Sequence, residues 1–323
     1  MRLPVFLSLP GFYPAGTCLV LIALAFGAPL RAKPAVKHPP ASPTPKTASL
    51  PKPDSAAAKA PASAPAPTPT TPVVVVPIPP VGPAASAVPG DTLPKPLRVV
   101  SQKALKVPEK LLFNIIWGGW SFKWITAGQA TLELLPTASP TEWKIQSLAW
   151  ADGFFQTLYP VKDTVTSVID SRGIYPLRFD KHLHEGSYHA VISARYDQAA
   201  HSLKTQDTTL AIEPFTHDVL SAFYFIRTQT LKVGDTLDLA AVSGKKKYKL
   251  RLLCHGRETV EVPAGKFKTL IVEPVLKDDG LFKAKGKLTI WVTDDELHMP
   301  VKMQSKIPVG SIKAELVSKV SKQ

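Results

Sequence analysis

From Leu111 onward, apolar and polar residues alternate with a period of two, and Gly, Pro, Asn and Asp break the alternation into short runs. A period of two puts every second side chain on one face of a strand. A long series of such runs therefore predicts antiparallel strands with one buried face. The predicted strands are 111–117, 120–125, 129–135, 142–150, 163–170, 176–184, 188–197, 201–205, 235–241, 247–255, 257–262, 267–276, 286–293, 300–306 and 310–318. Two segments depart from the pattern. Asp218 is placed to cap a helix that ends near Thr228, with Val219, Ala222, Phe223 and Ile226 on one face. Asp152 to Leu158 reads as a short helical turn with Phe154, Phe155 and Leu158 inward. A flat sheet of so many strands is unusual. The expected fold is all-β with one or two short helices: a strongly curved antiparallel sheet or incomplete β-barrel, one helix covering an opening.

Composition divides the chain of 323 residues. Residues 1–32 read as a signal peptide or an uncleaved anchor: Arg2 precedes a long uncharged stretch, strongest over Cys18 to Phe26, and the small residues Ala25, Gly27 and Ala28 offer a cleavage site. Residues 33–96 are a disordered Pro/Ala-rich tether, too poor in apolar mass to offset the entropy of ordering. Fully extended, it reaches about 200 Å at about 3.1 Å per residue. Residues 97–323 remain as a single β-rich domain. No segment after the first 32 residues is apolar over the length a membrane span requires.

The net charge of +14 is spread thinly. Its one compact run, Lys245-Lys246-Lys247, follows Ser243-Gly244 and reads as a solvated hairpin tip, so no nucleic-acid partner is expected. Once a signal is removed, Cys254 is the only thiol, which leaves no intrachain disulfide. It alternates in step with Tyr248, Leu250 and Leu252 and reads as a core residue.

One hairpin can be placed in register by argument. A two-residue turn at Gly186-Ser187 pairs Glu185 with Tyr188, Leu183 with Ala190, Lys181 with Ile192 and Phe179 with Ala194, and all the apolar residues then share a face. Lys181 falls on that same face. Its ammonium must snorkel, meet a carboxylate or meet an anionic ligand, and Glu273 is the first partner expected. His184 faces His189 with His182 beside it on the outward face, a weak candidate for metal at most. Asp278-Asp279-Gly280 and Asp294-Asp295-Glu296 lack calcium-loop spacing. His217, Asp218 and Ser221 lie together at one helix start, which does not make a triad. No catalytic residues and no cofactor are expected.

Gly118-Gly119 reads as a bend that lets the strand curl, after which Trp120, Phe122 and Trp124 share a face. With Trp117, Phe154, Phe155, Lys181 and Phe223 they are the candidate residues of an apolar cavity, against the plainer reading that they fill a core.

Several motifs fall at matching places along the folded part: Trp117-Gly118-Gly119 followed by Ala127-Gly128-Gln129-Ala130, Phe179-Asp180-Lys181 with Glu185-Gly186-Ser187-Tyr188, and Val262-Pro263-Ala264-Gly265-Lys266-Phe267. Trp291-Val292-Thr293-Asp294-Asp295, Met299-Pro300-Val301-Lys302-Met303 and Val309-Gly310-Ser311-Ile312 follow. On these residues the chain resembles the bacterial envelope family catalogued as domain of unknown function 3108, from Phe113 to Val317. The resemblance implies an exported, β-rich protein. By fold-level analogy alone, its shape is similar to that of curved-sheet carriers of lipoproteins and lipids.

The expected function is non-enzymatic: a periplasmic or envelope-associated protein that binds a lipid-like or other amphipathic small molecule within its sheet. The alternative is a scaffold that joins envelope proteins through the Pro-rich arm and a sheet edge.

Overall fold

The computed structural model describes residues 97–119, 122–276, 287–306 and 310–321. The expected leader (1–32), the Pro-rich tether (33–96), Trp120, the Phe122 side chain and Asp278-Asp279-Gly280 lie outside the described residues.

Among the described residues, fourteen strands form one antiparallel sheet, and the chain enters it in the middle. β1 (Glu109–Gly119) is followed outward on one side by β2 (Phe122–Pro136), β3 (Glu142–Ala151), β4 (Lys162–Asp170), β5 (Pro176–Glu185), β6 (Tyr188–Asp197), β7 (Ser202–Thr205) and β8 (Thr209–Ala211). The chain then crosses to the opposite edge. It returns through β9 (Thr236–Ser243), β10 (Lys246–Val262), β11 (Gly265–Leu276), β12 (Leu288–Thr293) and β13 (Pro300–Lys306) to β14 (Ser311–Ser321), which pairs with β1. Every other pairing joins sequence neighbours. The helices are α1 (Gly153–Leu158), between β3 and β4, and α2 (Val219–Arg227), on the crossing from β8 to β9.

The sheet curls but does not close. Its edges are β8 and β9, and the crossing chain bridges them: the His217 N–H donates to the Ala240 carbonyl and the Val242 N–H to the His217 carbonyl, both at 2.9 Å. That single parallel bridge satisfies part of an edge that would otherwise present unpaired backbone groups. Ile212 packs with Leu203, Tyr196 and Val242 beneath it.

Curvature is built in at irregular positions. The β1–β2 register shifts between Trp117 and Gly119, where Gly118 has φ of 159° and a Cβ would stand 2.8 Å from the Trp124 Cα. A side chain there would force the two strands apart. Further shifts fall between Ile115 and Ile116 and between Cys254 and Gly256. These bulges correct two expectations. The predicted strands 120–125 and 129–135 are one strand, β2, and 247–255 and 257–262 are one strand, β10, because pairing continues past the interruption. β8, three residues long, was not expected.

α2 lies inside the curve. Asp218 caps it as predicted: its Oδ1 accepts from the N–H groups of Leu220 (2.8 Å) and Ser221 (2.9 Å), while Ser221 Oγ accepts from the Asp218 N–H. Leu220, Ala222, Tyr224, Phe225 and Ile226 are all buried, so the helix is surrounded rather than laid on a surface. Its last residue carries a charge into this interior. Both Arg227 and Glu109 are 1% exposed, and Arg227 Nη1 and Nη2 donate to the two Glu109 carboxylate oxygens at 2.7 and 3.0 Å. Arg227 also donates to the carbonyls of Ala104 and Leu297, and its own carbonyl bonds His298 Nδ1 at 3.0 Å. The helix is thereby tied to the start of β1, the segment before it, and the β12–β13 turn, which together form the floor.

The opposite end, the mouth, carries the turns after β1, β5 and β9, and α1. α1 corrects a further expectation. Only Phe155 faces inward, against Trp117, Ala127, Ala151 and Val161, whereas Phe154 and Leu158 are exposed. A helix of six residues has too few turns to bury three large side chains on one side.

We expect Arg227→Met to destabilise the fold by about 3–5 kcal/mol, because it strands a buried carboxylate. Glu109→Leu combined with Arg227→Met should be more stable than Arg227→Met alone. Urea denaturation followed by near-ultraviolet circular dichroism measures both, and a double variant no better than the single one would show that the charge pair is not the cause.

Candidate functional site

The buried helix leaves an apolar groove on one side. Val219, Ala222, Phe223 and Ile226, the predicted face of α2, look across at Leu250 and Leu252 of β10, Val272 of β11, Leu288 and Ile290 of β12 and Met303 of β13. These strands place their alternate residues inward, which is why the wall is almost uniformly hydrocarbon. The groove encloses about 40 Å³. A second space of about 30 Å³ lies between Phe179, Ile192, Ala194 and Tyr196 on one side and Val242 on the other, and Val219 borders both. Such walls offer dispersion contacts and exclusion of water, and Arg227 and His298 are the polar residues that line the groove. Cys254, the one thiol among the described residues, is buried, and burial pushes it above its ordinary range.

Next to the mouth lies a cluster of charge. Lys181 is buried, as its parity predicts, and the register Glu185↔Tyr188, Leu183↔Ala190, Lys181↔Ile192 and Phe179↔Ala194 is the one argued from the turn. Gly186 serves that turn at φ 59°, tucked so close to the Tyr159 ring that a Cβ would stand 2.7 Å from it. The partner of Lys181 is not Glu273, which binds His255 and Lys287 instead. Glu185 and Asp163 answer its charge. Burial lowers the lysine, and the two carboxylates oppose that shift. Asp163 Oδ1 accepts from the His184 N–H at 2.9 Å. Burial, then the neighbouring Asp163 carboxylate, raises the Glu185 carboxyl to about 8. Burial raises the Asp163 carboxyl as well, and the two acidic groups together answer the charge of Lys181 within the protein.

A third polar group lies at the start of α2. His217 Nδ1 is 3.2 Å from Ser221 Oγ, and Arg98 Nη2 is 3.3 Å from His217 Nε2. Asp218 binds the helix N-terminus and accepts from Ser167 Oγ at 2.7 Å. The order is therefore wrong for a nucleophile: the carboxylate does not orient the imidazole, and the hydroxyl caps a helix. Burial, with Arg98 beside it, lowers His217 to about 3 and keeps it neutral; burial raises Asp218 to about 6. The Arg98 guanidinium sits over Phe215 and Phe225, 4.5 and 4.2 Å from the ring centroids, and donates to the Gly173 and Ile174 carbonyls.

Among the described residues, the aromatic side chains singled out by sequence do not gather in one place. Phe223 lines the groove, and Trp117 and Phe155 meet edge to face at the mouth, 6.3 Å between centroids. Phe154, 72% exposed, points outward, and so does Trp124, 42% exposed. Lys313, which stands between the buried Ile312 and Ala314 and so on the outer face, places its ammonium 3.5 Å from the Trp124 ring centroid. Trp124 leaves the inner face because the bulges of β1 and β2 displace the alternation that runs unbroken in the sequence. The interior is correspondingly fuller than a ring-lined cavity, since α2 occupies it. His184 and His189 do pair across the hairpin, 4.2 Å between centroids, but among the described residues no cluster of three or more His, Cys, Asp or Glu is arranged to hold a metal. Sequence reasoning missed Asp163 and Glu185. Glu185 shares the parity of Lys181 on the same strand, and that signal was available.

A family model described as "Protein of unknown function (DUF3108)" matches residues 112–317. No curated protein matches. Among solved structures, a β-barrel-like protein of domain of unknown function DUF1849 from Brucella abortus is similar with a TM-score of 0.49 and 11% identity, over 70% of this chain and 99% of that one. A Parabacteroides distasonis protein classed provisionally as a lipoprotein has a TM-score of 0.30 and 8% identity, over 69% and 99% of the two chains. A Bacteroides fragilis protein classed provisionally as exported, with a YmcC-like fold, has a TM-score of 0.25 and 11% identity, over 66% and 95%.

The mouth cluster makes stability depend on pH with a definite sign. A carboxyl whose folded pKa is raised from 4.5 to about 8 binds its proton more tightly in the folded state, so its contribution is complete below pH 4.5 and lost as pH rises toward 8. His217 and Asp218 titrate in opposite senses below about pH 6.5, and above it Glu185, with the Asp163 carboxyl beside it also raised by burial, makes stability fall as pH rises. We expect the thermal midpoint to fall between about pH 6.5 and about pH 8 and Glu185→Gln to flatten the fall. Scanning calorimetry at stepped pH measures it, and an unchanged slope in the variant would exclude Glu185 as the source.

Proposed function

The chain belongs to that family of proteins of unknown function, and we propose that it is an exported envelope protein that binds an apolar or amphipathic molecule along α2, with no catalysis. One observation carries the reading: the helix buried in the sheet is left with an unfilled hydrocarbon groove beside it. Interiors are normally packed to crystal density, so an apolar gap beside a fully surrounded helix forgoes contacts that a slightly different set of side chains would supply. A guest that supplies them gives the gap a reason. The amino-terminal segment, with its basic residue, apolar core and small residues, supports an envelope location.

The groove as it stands is small. Its 40 Å³ compares with the roughly 150 Å³ of an apolar void that takes up benzene, so an acyl chain enters only when a wall moves. Phe223 is the residue suited to move: it is the large ring on the groove face of α2, and it is only partly buried. Lys181 takes no part, its charge being matched internally. The ligand class is therefore defined by its hydrocarbon and not by an anionic head.

The scaffold alternative finds less support. The middle of β9 already bonds His217, and β8 is three residues long, so neither edge offers a partner strand much free length.

Native mass spectrometry of the protein isolated from the envelope, with solvent extraction of the same sample, tests the proposal. The wild type should carry an apolar adduct, Phe223→Ala should raise its occupancy at least about threefold, and Ala222→Trp should remove it while the circular dichroism stays unchanged. An adduct indifferent to both substitutions would place the ligand elsewhere, and a wild type with none would end the reading.

A further inference from the structure

The large apolar side chains exposed among the described residues are not scattered evenly. Six of the ten belong to the mouth end: Trp124, Ile125, Phe154, Leu158, Tyr188 and Val191. They are linked through buried neighbours. Ile125 pairs with Trp117, which meets Phe155, whose ring lies 5.8 Å from that of Phe154. On the other side of α1, Tyr159 lies against Gly186 of the turn that carries Tyr188, and the Gly186 N–H donates to the Pro160 carbonyl at 2.8 Å. The exposed rings thus stand on adjoining turns held in fixed relation, which a solvated surface does not require.

The charges around them are basic. Lys123 and Lys162 flank the rings on β2 and β4, Lys306 lies at the end of β13, and Lys313 sits over Trp124. The acids nearby are already engaged: Asp152 caps α1, accepting from the Gly153 N–H at 2.8 Å, Asp207 is paired with Lys245 at 2.6 Å, and Asp163 and Glu185 answer the buried Lys181. Indole, phenol and phenylalanine rings with lysines beside them are the side chains that partition into the boundary between headgroups and acyl chains, where the lysines meet anionic lipid. A protein partner would be expected to meet a flatter patch, with the large rings set in pockets and few lysines.

We infer that the mouth end is a membrane-docking surface, which seats Trp124, Phe154, Leu158 and Tyr188 in the interfacial layer of an anionic bilayer with Lys123, Lys162 and Lys313 on its headgroups. The inference stands apart from the groove and holds whether or not a ligand is found there. It orients the domain with the mouth toward lipid and the Arg227 floor away from it.

The full-length protein, mixed with phosphatidylcholine vesicles containing about one-third phosphatidylglycerol, tests the surface. Hydrogen exchange should slow at residues 123–125, 153–158 and 187–191 and stay unchanged at the floor around Val99 and Val233. The triple substitution Trp124→Ser, Phe154→Ser, Leu158→Ser should reduce vesicle partitioning at least about tenfold, while Val99→Ser with Val233→Ser leaves it unaltered; any contribution of the amino-terminal segment is common to both. A tenfold rise in salt should weaken docking several-fold. Protection absent from the mouth or equal at the floor overturns the inference. So does protection that appears without vesicles as the protein is concentrated, which would identify a second copy of the chain as the occupant.

Discussion

An arginine that ends a helix in the interior of a sheet has to find every one of its partners there. Arg227 finds a carboxylate from β1, a carbonyl from the segment just ahead of β1 and another from the turn between β12 and β13, the first two close together in sequence and the third far along the chain. Removing a guanidinium from water costs several kcal/mol, which is recovered only when geometry and hydrogen bonding are both good, and a bidentate carboxylate supplies that. The consequence is positional. Once Glu109 sits at the start of β1 and Arg227 at the end of α2, the helix cannot slide along the lumen or turn its apolar face away from β10–β13 without breaking the pair. The pair thus fixes the height at which α2 presents its groove face to β10–β13.

The other end of α2 is fixed by neutral and half-titrated groups. Asp218 binds the helix N-terminus and Ser167 at once, and His217 sits between Ser221 and Arg98 while its backbone pairs with the β9 edge. Burial keeps the histidine neutral and so able to accept from the guanidinium. The cluster contains the residue types of a hydrolase, but its carboxylate binds the helix N-terminus and Ser167 rather than the imidazole, and these contacts hold the crossing segment in place. Its chemistry belongs to the fold.

Much of this was legible in the sequence wherever a local rule applied. The period of two gave nearly all the strands, Asp218 gave the helix start, and Gly186-Ser187 fixed the parity that buries Lys181. What failed was whatever depended on counting through an irregularity. Gly256 and the bulge near Ala127 look like strand ends in a linear pattern, yet the backbone goes on pairing past them. The same bulges turned Trp124 outward although it alternates correctly in the text. The partners of Lys181 divide in the same way: Glu185 could be read from its own strand, whereas Asp163 lies across a β4–β5 register that shifts between Val168 and Ile169. Glu109 and Arg227 are 118 residues apart, and no local rule connects them.

The two ends of the lumen resist opening to different degrees. To open the floor, the chain must separate Arg227 from Glu109, a change that costs about 3–5 kcal/mol when one partner is lost. To open the mouth, α1 must leave, and it is held mainly by the Phe155 ring against Trp117, Ala127, Ala151 and Val161. A single buried phenylalanine contributes about 1.5–3 kcal/mol, and a six-residue helix adds little, being far below the length at which a helix is stable alone. The cheaper route to the interior therefore runs through the mouth. Phe154 and Leu158 are the exposed side chains of the element that must move, so a bilayer that gave them an apolar environment would lower the cost of moving it. On the docking inferred above, the weak end of the fold faces the surface from which the proposed apolar guest would come.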